Sequence, residues 1–433
     1  MERQLIERLW DWKRDEERKP LILLGARQVG KTWLMKEFGK KAYSSVAYIN
    51  CDDEPRAAQL FMPDYDISRI LLSLQAICGV KVIPGETLII LDEIQEAPRG
   101  LSCLKYFQEK APEYHVMAAG SLLGIAMGHQ ESFPVGKVDM LSLYPMNFEE
   151  FLAGVGEQGL LDLLREGNWD TLRPFHDKLT ERLRQYYFVG GMPEVVDLFV
   201  KKHDLAKVRA RQQAILEAYR RDFTKHTSKS ESSRINQVFL SLPSQLAREN
   251  KKFLYSLLKK GGRAAEYELA IQWLIDAGIV YKVSRVNELR VPLKFYEDLG
   301  GFKLFLLDCG LLGCMSMAPA DQMLIGDNVF KEFKGAFTEQ YVLQQLIARG
   351  LPPFYWSSEN SPAEIDFVVQ AGNRVVPIEV KAEGNVQSRS LRSYITSHPD
   401  LPLKGLRISM LGYADQEWME NIPLYGIGKY VLC

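Results

Sequence analysis

The feature that most constrains how this sequence can fold is one glycine-bounded motif, Gly25-Ala26-Arg27-Gln28-Val29-Gly30-Lys31-Thr32. It matches the pattern G-x-x-x-x-G-K-[S/T] without a gap. An apolar run, Leu21–Leu24, precedes it, and Trp33–Lys41 follows with helical spacing. In a strand–loop–helix unit of this kind, the backbone N–H groups of the loop point at a phosphate. The motif therefore predicts a phosphate-binding loop, here called the P-loop, on an α/β sheet.

The residue types of the P-loop predict how it contacts ATP. We expect all eight residues to contribute to the binding site. The glycines allow the backbone to curl around the β-phosphate. The Lys31 ammonium would contact the β- and γ-phosphate oxygens, and the Thr32 hydroxyl would ligate Mg²⁺. Because Lys31 follows Gly30 at a helix start, we expect its side chain to be exposed.

A second motif supports the first. The apolar run Leu88–Leu91 ends in Asp92 and Glu93. Asp92 would hold Mg²⁺ through water, and Glu93 would polarise the attacking water. This acid pair favours hydrolysis over a passive nucleotide switch. The alternative, a chance glycine turn and a solvated strand end, requires two coincidences in the right order.

Other candidate nucleotide contacts are less specific. Ser121 follows a fourth apolar strand, His115–Gly120, where a hydroxyl can sense the γ-phosphate; a helix N-cap explains it equally well. Four cations are candidates for an arginine finger, a basic side chain that contacts the nucleotide: Arg99, Arg182, Arg184 and Lys137 as a basic substitute. The alternative is that each is an ordinary surface charge.

The pattern along the chain predicts a multidomain α/β protein. Strands alternate with helices over residues 1–147, which predicts a parallel sheet buried on both faces. Only helical patterns occur over 148–219, a predicted helical lid. Short helices followed by a glycine and a strand over 220–300 fit a winged-helix-like domain, and other small α+β domains share that pattern. Mixed strands and helices over 301–433 predict an α/β C-terminal domain.

Beyond the P-loop, the chain resembles prokaryotic AAA-type ATPases fused to a C-terminal domain of unknown function. The resemblance rests on the P-loop and on seven further segments, Leu88–Gln95, Ala118–Gly124, Leu143–Phe151, Tyr187–Val196, Ala218–Phe223, Trp273–Val283 and Lys303–Gly313. It covers nearly the whole length and implies an AAA+ ATPase core. Family members often carry Gly-Arg where this chain has Gly136-Lys137, which weakens a finger role there.

The C-terminal region carries a second group of charged residues. Two alternating segments, Glu364–Gln370 and Arg374–Ala382, are joined by Ala371-Gly372-Asn373, which predicts a hairpin. This hairpin would bring Asp366 beside Glu379 and Lys381. Two carboxylates can hold Mg²⁺, or Mn²⁺ in its place.

The same residues resemble the core of PD-(D/E)xK nucleases. The resemblance assigns Asp366, Glu379 and Lys381 to the motif, and Glu339, on a predicted helix, to the helix acid that reaches the metal. It implies a restriction-endonuclease-like fold. The alternative is a solvated strand face on which these charges pair across the hairpin.

Composition limits the partners. Lys and Arg number 54 against 55 Asp and Glu, so contact with nucleic acid requires a local patch. Two basic stretches, Lys201–Lys225 and Arg248–Arg263, are candidates for docking DNA, with a solvated helix face as the alternative. Six scattered cysteines without a C-x-x-C pair are typical of a cytoplasmic protein. The weakly polar run Val116–Gly128 is too short to span a membrane, so we expect no membrane partner.

Two hypotheses follow. In the first, the chain is an ATP-hydrolysing AAA+ protein that interacts with DNA and whose C-terminal domain cleaves DNA with a metal. In the second, it is a nucleotide-driven regulatory switch whose C-terminal domain binds a protein partner and cleaves nothing. An oligomer is compatible with both.

Overall fold

The computed structural model describes residues 1–120, 133–225, 227–248, 251–325, 331–358, 361–382 and 387–430. These residues divide into two compact units. Residues 2–144 and 276–279 form the N-terminal unit, and residues 1, 145–275 and 280–433 form the C-terminal unit. Apart from residues 276–279 of the predicted middle domain, the C-terminal unit thus combines the predicted lid, middle and C-terminal domains, whose individual bounds stay predictions.

The N-terminal unit alternates strands and helices. Its elements are α1 (Leu5–Arg14), β1 (Leu21–Leu24), α2 (Lys31–Ala42), β2 (Ser45–Asn50), α3 (Ala57–Leu60), α4 (Ile67–Cys78), β3 (Thr87–Asp92), α5 (Gly100–Lys110), β4 (His115–Ala119) and β5 (Asp139–Ser142). All five strands are parallel, in the order β2-β3-β4-β1-β5. The predicted parallel sheet is confirmed. In such a sheet, ligands bind beyond the carboxyl ends of the strands.

Burial explains why three of these strands, β1, β3 and β4, were predictable. Every residue of β3 is buried, so the strand appears in the sequence as a continuous apolar run. Sequence reasoning missed β5, an edge strand that pairs only with β1 among the described strands. Its residues alternate between partly buried and exposed, and four residues give too short an alternation to recognise.

Helices dominate the first half of the C-terminal unit, as predicted for 148–219. They are α6 (Phe148–Gly154), α7 (Gln158–Glu166), α8 (Trp169–Leu172), α9 (His176–Val189), α10 (Pro193–Lys202), α11 (Leu205–Lys225), α12 (Lys229–Leu246) and α13 (Ala264–Asp276). A short 3-10 turn, Tyr255–Leu257, lies between α12 and α13.

The second half holds a mixed sheet. Its elements are β6 (Val280–Val286), β7 (Glu297–Leu306), α14 (Cys309–Met315), α15 (Ala320–Ile325), α16 (Lys331–Ala348), β8 (Phe354–Ser357), β9 (Glu364–Ala371), β10 (Arg374–Lys381), α17 (Arg389–Ser397), β11 (Gly405–Ser409), β12 (Ala414–Gln416), β13 (Met419–Pro423) and α18 (Ile427–Tyr430). The eight strands follow the order β12-β13-β11-β10-β9-β8-β6-β7.

The antiparallel pair β6–β7 follows three helical elements, which is the order predicted for a winged helix; that assignment stays a prediction. β6 also pairs in parallel with β8 through Arg285 and Tyr355. The pair therefore belongs to the same sheet as the C-terminal strands. The predicted domain bound at residue 300 falls inside β7.

The hairpin β9–β10 has the predicted bounds to within one residue. Its antiparallel register aligns Val369 with Val376 and Phe367 with Ile378. Gly372 in the connection has φ +59°, a left-handed conformation that glycine adopts at no steric cost. The predicted hairpin is confirmed.

Candidate functional site

The P-loop connects the carboxyl end of β1 with the start of α2. Gly25 has φ +142°, and a Cβ atom there would lie 2.2 Å from the Leu143 carbonyl oxygen, so only glycine fits. Gly30 has φ +97° and is the residue that precedes α2. Since Gly30 has no side chain to cap the helix, the first N–H groups of α2 remain oriented for an anion.

Lys31 is buried, so its expected exposure was wrong. Its Nζ donates to the Gly25 carbonyl oxygen at 2.7 Å and to the Ala26 carbonyl oxygen at 2.8 Å. The ammonium therefore folds back over the loop that its charge would help to hold. Burial lowers the pKa of Lys31 to about 8, although the nearby Glu93 and Asp92 carboxylates oppose that shift.

Thr32 and Asp92 are the pair that would hold Mg²⁺. The Thr32 hydroxyl donates to Asp92 Oδ2 at 2.6 Å, across the 60 residues that separate them in the sequence. Tyr48, on β2, donates to the same carboxylate oxygen at 3.2 Å. Burial raises the pKa of Asp92, and these two donors counteract the shift by stabilising the ionised form. A hydroxyl and a carboxylate oxygen in contact fit a hard divalent cation.

Glu93 lies directly beyond β3. It adopts φ +47°, a left-handed conformation that is uncommon for a residue with a side chain. Gln95 Nε2 donates to Glu93 Oε2 at 2.7 Å and fixes the direction of the carboxylate. A backbone strained at this position is consistent with a side chain that must be aimed.

The acids of the C-terminal unit also come together. Asp366 on β9 accepts a hydrogen bond from the Val380 N–H at 2.7 Å, so its carboxylate lies against β10 beside Glu379. Burial and the charges of Glu339 and Glu379 raise the pKa of Asp366 to about 8. Burial likewise raises the pKa of Glu379. Four of the predicted residues therefore form one cluster, here called the acid cluster: Glu339, Asp366, Glu379 and Lys381.

Ammonium groups balance this cluster. Lys381 Nζ lies 2.5 Å from Glu379 Oε1, and Lys251 Nζ lies 2.5 Å from Glu339 Oε1. Burial disfavours the ionised form of Glu339, but the charges of Lys251 and Lys303 outweigh it and lower the pKa of that carboxyl. Lys303 is itself fully buried and is paired with Glu364. Sequence reasoning missed both Lys251 and Lys303.

The acid cluster retains unused oxygen atoms. In the part of the chain that the structure describes, Glu339 Oε2 and Glu379 Oε2 are buried and have no hydrogen-bond partner. Buried carboxylate oxygens without donors fit a bound cation. As the described side chains stand, however, no three His, Cys, Asp or Glu residues are arranged to hold a metal ion.

Comparison with known protein families covers most of the chain. Residues 17–152, which include the P-loop, Thr32, Asp92 and Glu93, match the model of an AAA domain. This segment is an AAA-type P-loop ATPase domain. Residues 180–322 match a domain of unknown function, DUF8612, and residues 334–430 match another, DUF4143. The resemblance predicted from the motifs is confirmed for the AAA domain.

Solved structures show limited similarity to the chain. A Walker-type ATPase of Pyrococcus abyssi is 14% identical with a TM-score of 0.46, over 73% of this chain and 95% of that one. The Aeropyrum pernix Orc1 protein in complex with DNA is 14% identical with a TM-score of 0.27, over 74% and 92%. AMPPCP-bound DnaA from Aquifex aeolicus is 15% identical with a TM-score of 0.24, over 63% and 86%. No curated protein matches the chain.

Two residues that support the AAA domain site were missed. Arg3 is buried and donates to the Val29 carbonyl oxygen at 2.7 Å and to the Tyr144 carbonyl oxygen at 2.6 Å. It therefore links the backbone of the P-loop to that of Tyr144. Tyr48 orients Asp92, and Lys36 Nζ lies 3.4 Å from the centre of its ring. Neither belongs to a motif, and their hydrogen-bond acceptors, on Val29, Tyr144 and Asp92, lie 26 or more residues away.

The remaining nucleotide candidates of the AAA domain have mixed outcomes. Ser121 lies outside the described residues. Arg99 donates to the Met62 carbonyl oxygen at 2.6 Å and stacks 4.1 Å from the Tyr65 ring centre. Lys137 forms an ion pair with Glu109 at 3.1 Å.

In the C-terminal unit, Arg182 forms an ion pair with Glu157 at 2.6 Å, and Arg184 is partly buried. An arginine-finger role for any of these four cations stays a prediction.

None of the described helices combines the length and apolar character that crossing a membrane requires.

Proposed function

We propose that the AAA domain hydrolyses ATP in a Mg²⁺-dependent reaction carried by Lys31, Thr32, Asp92 and Glu93. The hydrogen bond of 2.6 Å between Thr32 and Asp92 carries the proposal, because it joins the P-loop helix to the end of β3 next to Glu93. Lys31 releases the Gly25 and Ala26 carbonyl oxygens and turns to the β- and γ-phosphates. Glu93, held by Gln95, accepts a proton from the attacking water. Bound Mg²⁺ would neutralise charge that develops on the phosphates.

We expect Asp92→Asn to raise the Mg²⁺ concentration needed for half-maximal ATP turnover by at least about tenfold, because a charged ligand is lost. Tyr48→Phe keeps the carboxylate and removes one donor, so we expect a shift of only about two- to tenfold. Phosphate release measured over a Mg²⁺ titration gives both values. Equal Mg²⁺ requirements in Asp92→Asn and the unsubstituted protein would contradict the role given to Asp92.

We further propose that the protein contacts DNA and that this contact stimulates its ATP turnover. The proposal is supported by the exposed cations Lys259, Lys260 and Arg263, which lie in and around the turn before α13. The exposed positions of α13 itself are Ala264, Ala265, Glu268, Leu269, Gln272 and Asp276, which offer no cation to a phosphate backbone. Contact with DNA is therefore expected at the turn rather than along the helix.

Addition of duplex DNA should stimulate ATP hydrolysis, and the stimulation should fall with rising salt, because cations on the protein displace counterions from the phosphates. Lys259→Gln with Lys260→Gln should reduce it, whereas Lys404→Gln, at an exposed lysine paired with Asp415, should not. Turnover that is indifferent to DNA but changes with a protein partner would instead support the regulatory switch.

A second candidate function is metal-dependent cleavage of phosphodiester bonds by the acid cluster. The buried, unpartnered oxygens of Glu339 and Glu379 favour it. Asp366, Glu379 and Glu339 would hold the cation, and Lys381 would orient the nucleophile after leaving Glu379. A bound divalent cation would activate water and offset charge on the phosphate. The ion pairs formed by Lys251 and Lys381 favour the alternative, a neutralised cluster in a module that binds protein.

Titration of Mn²⁺ into the nucleotide-free full chain separates these alternatives. We expect a heat of binding that Asp366→Asn and Glu379→Gln abolish, since each removes a charged ligand, while Lys381→Ala keeps the metal and loses DNA cleavage. Asp415→Asn is the matched control, because it removes a surface carboxylate paired with Lys404. If Asp366→Asn leaves the isotherm unchanged, the nuclease-like site is wrong and the switch remains.

A further inference from the structure

Helices α11 and α12 enclose a cleft of about 570 Å³. Its α11 wall consists of Glu217, Arg220, Arg221 and Thr224, whose i, i+3, i+4, i+7 spacing places them on one face of the helix. Positions with this spacing that face another helix usually carry apolar side chains. On α11 they carry two guanidinium groups, a hydroxyl and one carboxylate.

The opposite wall repeats the same spacing. Lys229, Ser232, Ser233 and Asn236 lie on one face of α12 and line the cleft. Thr227, in the connection between the two helices, lines it as well. Two polar stripes of matching length therefore face each other across the cleft.

A hydrophobic core behind the cleft holds its walls in place. The ring of Phe223 on α11 lies 5.3 Å from Phe239 on α12 and 5.2 Å from Trp273 on α13. Tyr219 and Ile235, on the same inner faces, are buried. The two helices thus pack together through their apolar faces. This packing fixes the position of the polar faces that line the cleft.

The chemistry of the cleft suits an anion. Three cationic side chains and one carboxylate line it, which gives a formal charge of +2. Arg220 Nε donates to Asn236 Oδ1 at 3.0 Å, so one guanidinium group links the two walls. Arg221 and Lys229 are exposed on opposite walls. The segment Ala218–Phe223, singled out in the sequence, supplies both arginines.

We propose that the α11–α12 cleft binds a ligand that carries two or more phosphate groups. Guanidinium groups bind phosphate with paired hydrogen bonds, and an ammonium binds it as a point charge. Cations on both walls match a chain of phosphates better than a single one. The volume lies within the range of about 300–1,000 Å³ that small-molecule sites occupy. A soluble polyphosphate compound and the backbone of a nucleic acid both supply this chemistry, and the site does not depend on ATP hydrolysis at the P-loop.

Calorimetric titration of inorganic tripolyphosphate into the full chain tests the proposal, with Lys31→Ala present throughout to disable the P-loop. We expect one binding site. Adding Arg221→Gln and Lys229→Gln should weaken it at least about tenfold, because two charge-assisted contacts are lost. Lys225→Gln with Arg234→Gln is the matched control: both residues are exposed on the same two helices, neither lines the cleft, and the charge change is identical. This control should bind as the Lys31→Ala protein does.

Two results would overturn the proposal: no binding heat in the Lys31→Ala protein, or equal weakening by the cleft pair and the control pair. Arg221→Lys with Lys229→Arg keeps the charges and should restore binding, and a thermal melt shows whether the glutamine variants are folded. A competing oligonucleotide identifies the source of the phosphates. Displacement of tripolyphosphate supports the cleft as a nucleic-acid contact, and failure to displace it supports a soluble polyphosphate ligand.

Discussion

Lys31→Ala is expected to abolish ATP turnover, with a loss of at least about 100-fold, because the charge that stabilises the transferring phosphate is removed. The substitution also leaves the Gly25 and Ala26 carbonyl oxygens without the donor that they have in the nucleotide-free protein. ATP binding should weaken together with turnover. Phosphate release and equilibrium binding of labelled ATP measure the two effects.

Two further variants separate this effect from damage to the fold. Lys40→Ala removes an exposed lysine from the last turn of the same helix and should leave turnover unchanged. Lys31→Arg retains a cation that can still donate to both carbonyl groups, and a thermal melt shows whether either Lys31 variant unfolds. A folded Lys31→Ala protein with undiminished turnover would show that the P-loop does not bind the phosphates of ATP.

The second large effect is expected from Glu93→Gln, which should keep the affinity for ATP and lower kcat by about 100-fold or more, since an amide cannot accept a proton from water. The amide can still contact Gln95, so the strained turn at Glu93 should persist. Single-turnover hydrolysis, measured beside ATP affinity, distinguishes a lost base from a lost binding contact.

Glu96→Gln provides the control for charge. Glu96 lies three residues further along, in the 3-10 turn Ile94–Glu96, and its substitution changes the net charge by the same amount. It should leave kcat near that of the unsubstituted protein. A Glu93→Gln protein with normal kcat would mean that another residue serves as the base.

Local signals made the central parts of both sites predictable. The P-loop, the acids after β3 and the hairpin β9–β10 each occupy a short continuous segment in which turn residues, apolar runs and chemistry agree. Asp366 and Val380 are only 14 residues apart, so a hairpin prediction was enough to bring Asp366 beside Glu379.

The contacts that support the two sites could not be predicted from the sequence. Arg3 is 26 residues from Val29, Tyr48 is 44 from Asp92, and Lys251 is 88 from Glu339. Such pairs form only after the sheets assemble, and no periodicity marks them. Lys31 was misjudged for a related reason: its position at a helix start suggested exposure, but the curled loop supplies carbonyl groups that draw the ammonium inward.

The parallel pairing of β6 with β8 has a practical consequence for dividing the chain. A fragment that begins at residue 301 starts inside β7 and lacks β6 altogether. The backbone groups of Phe354–Ser357 that face β6 would then form an unprotected sheet edge, which is a template for association between molecules. A C-terminal fragment intended for separate study should therefore begin before Val280, so that the sheet keeps its own border.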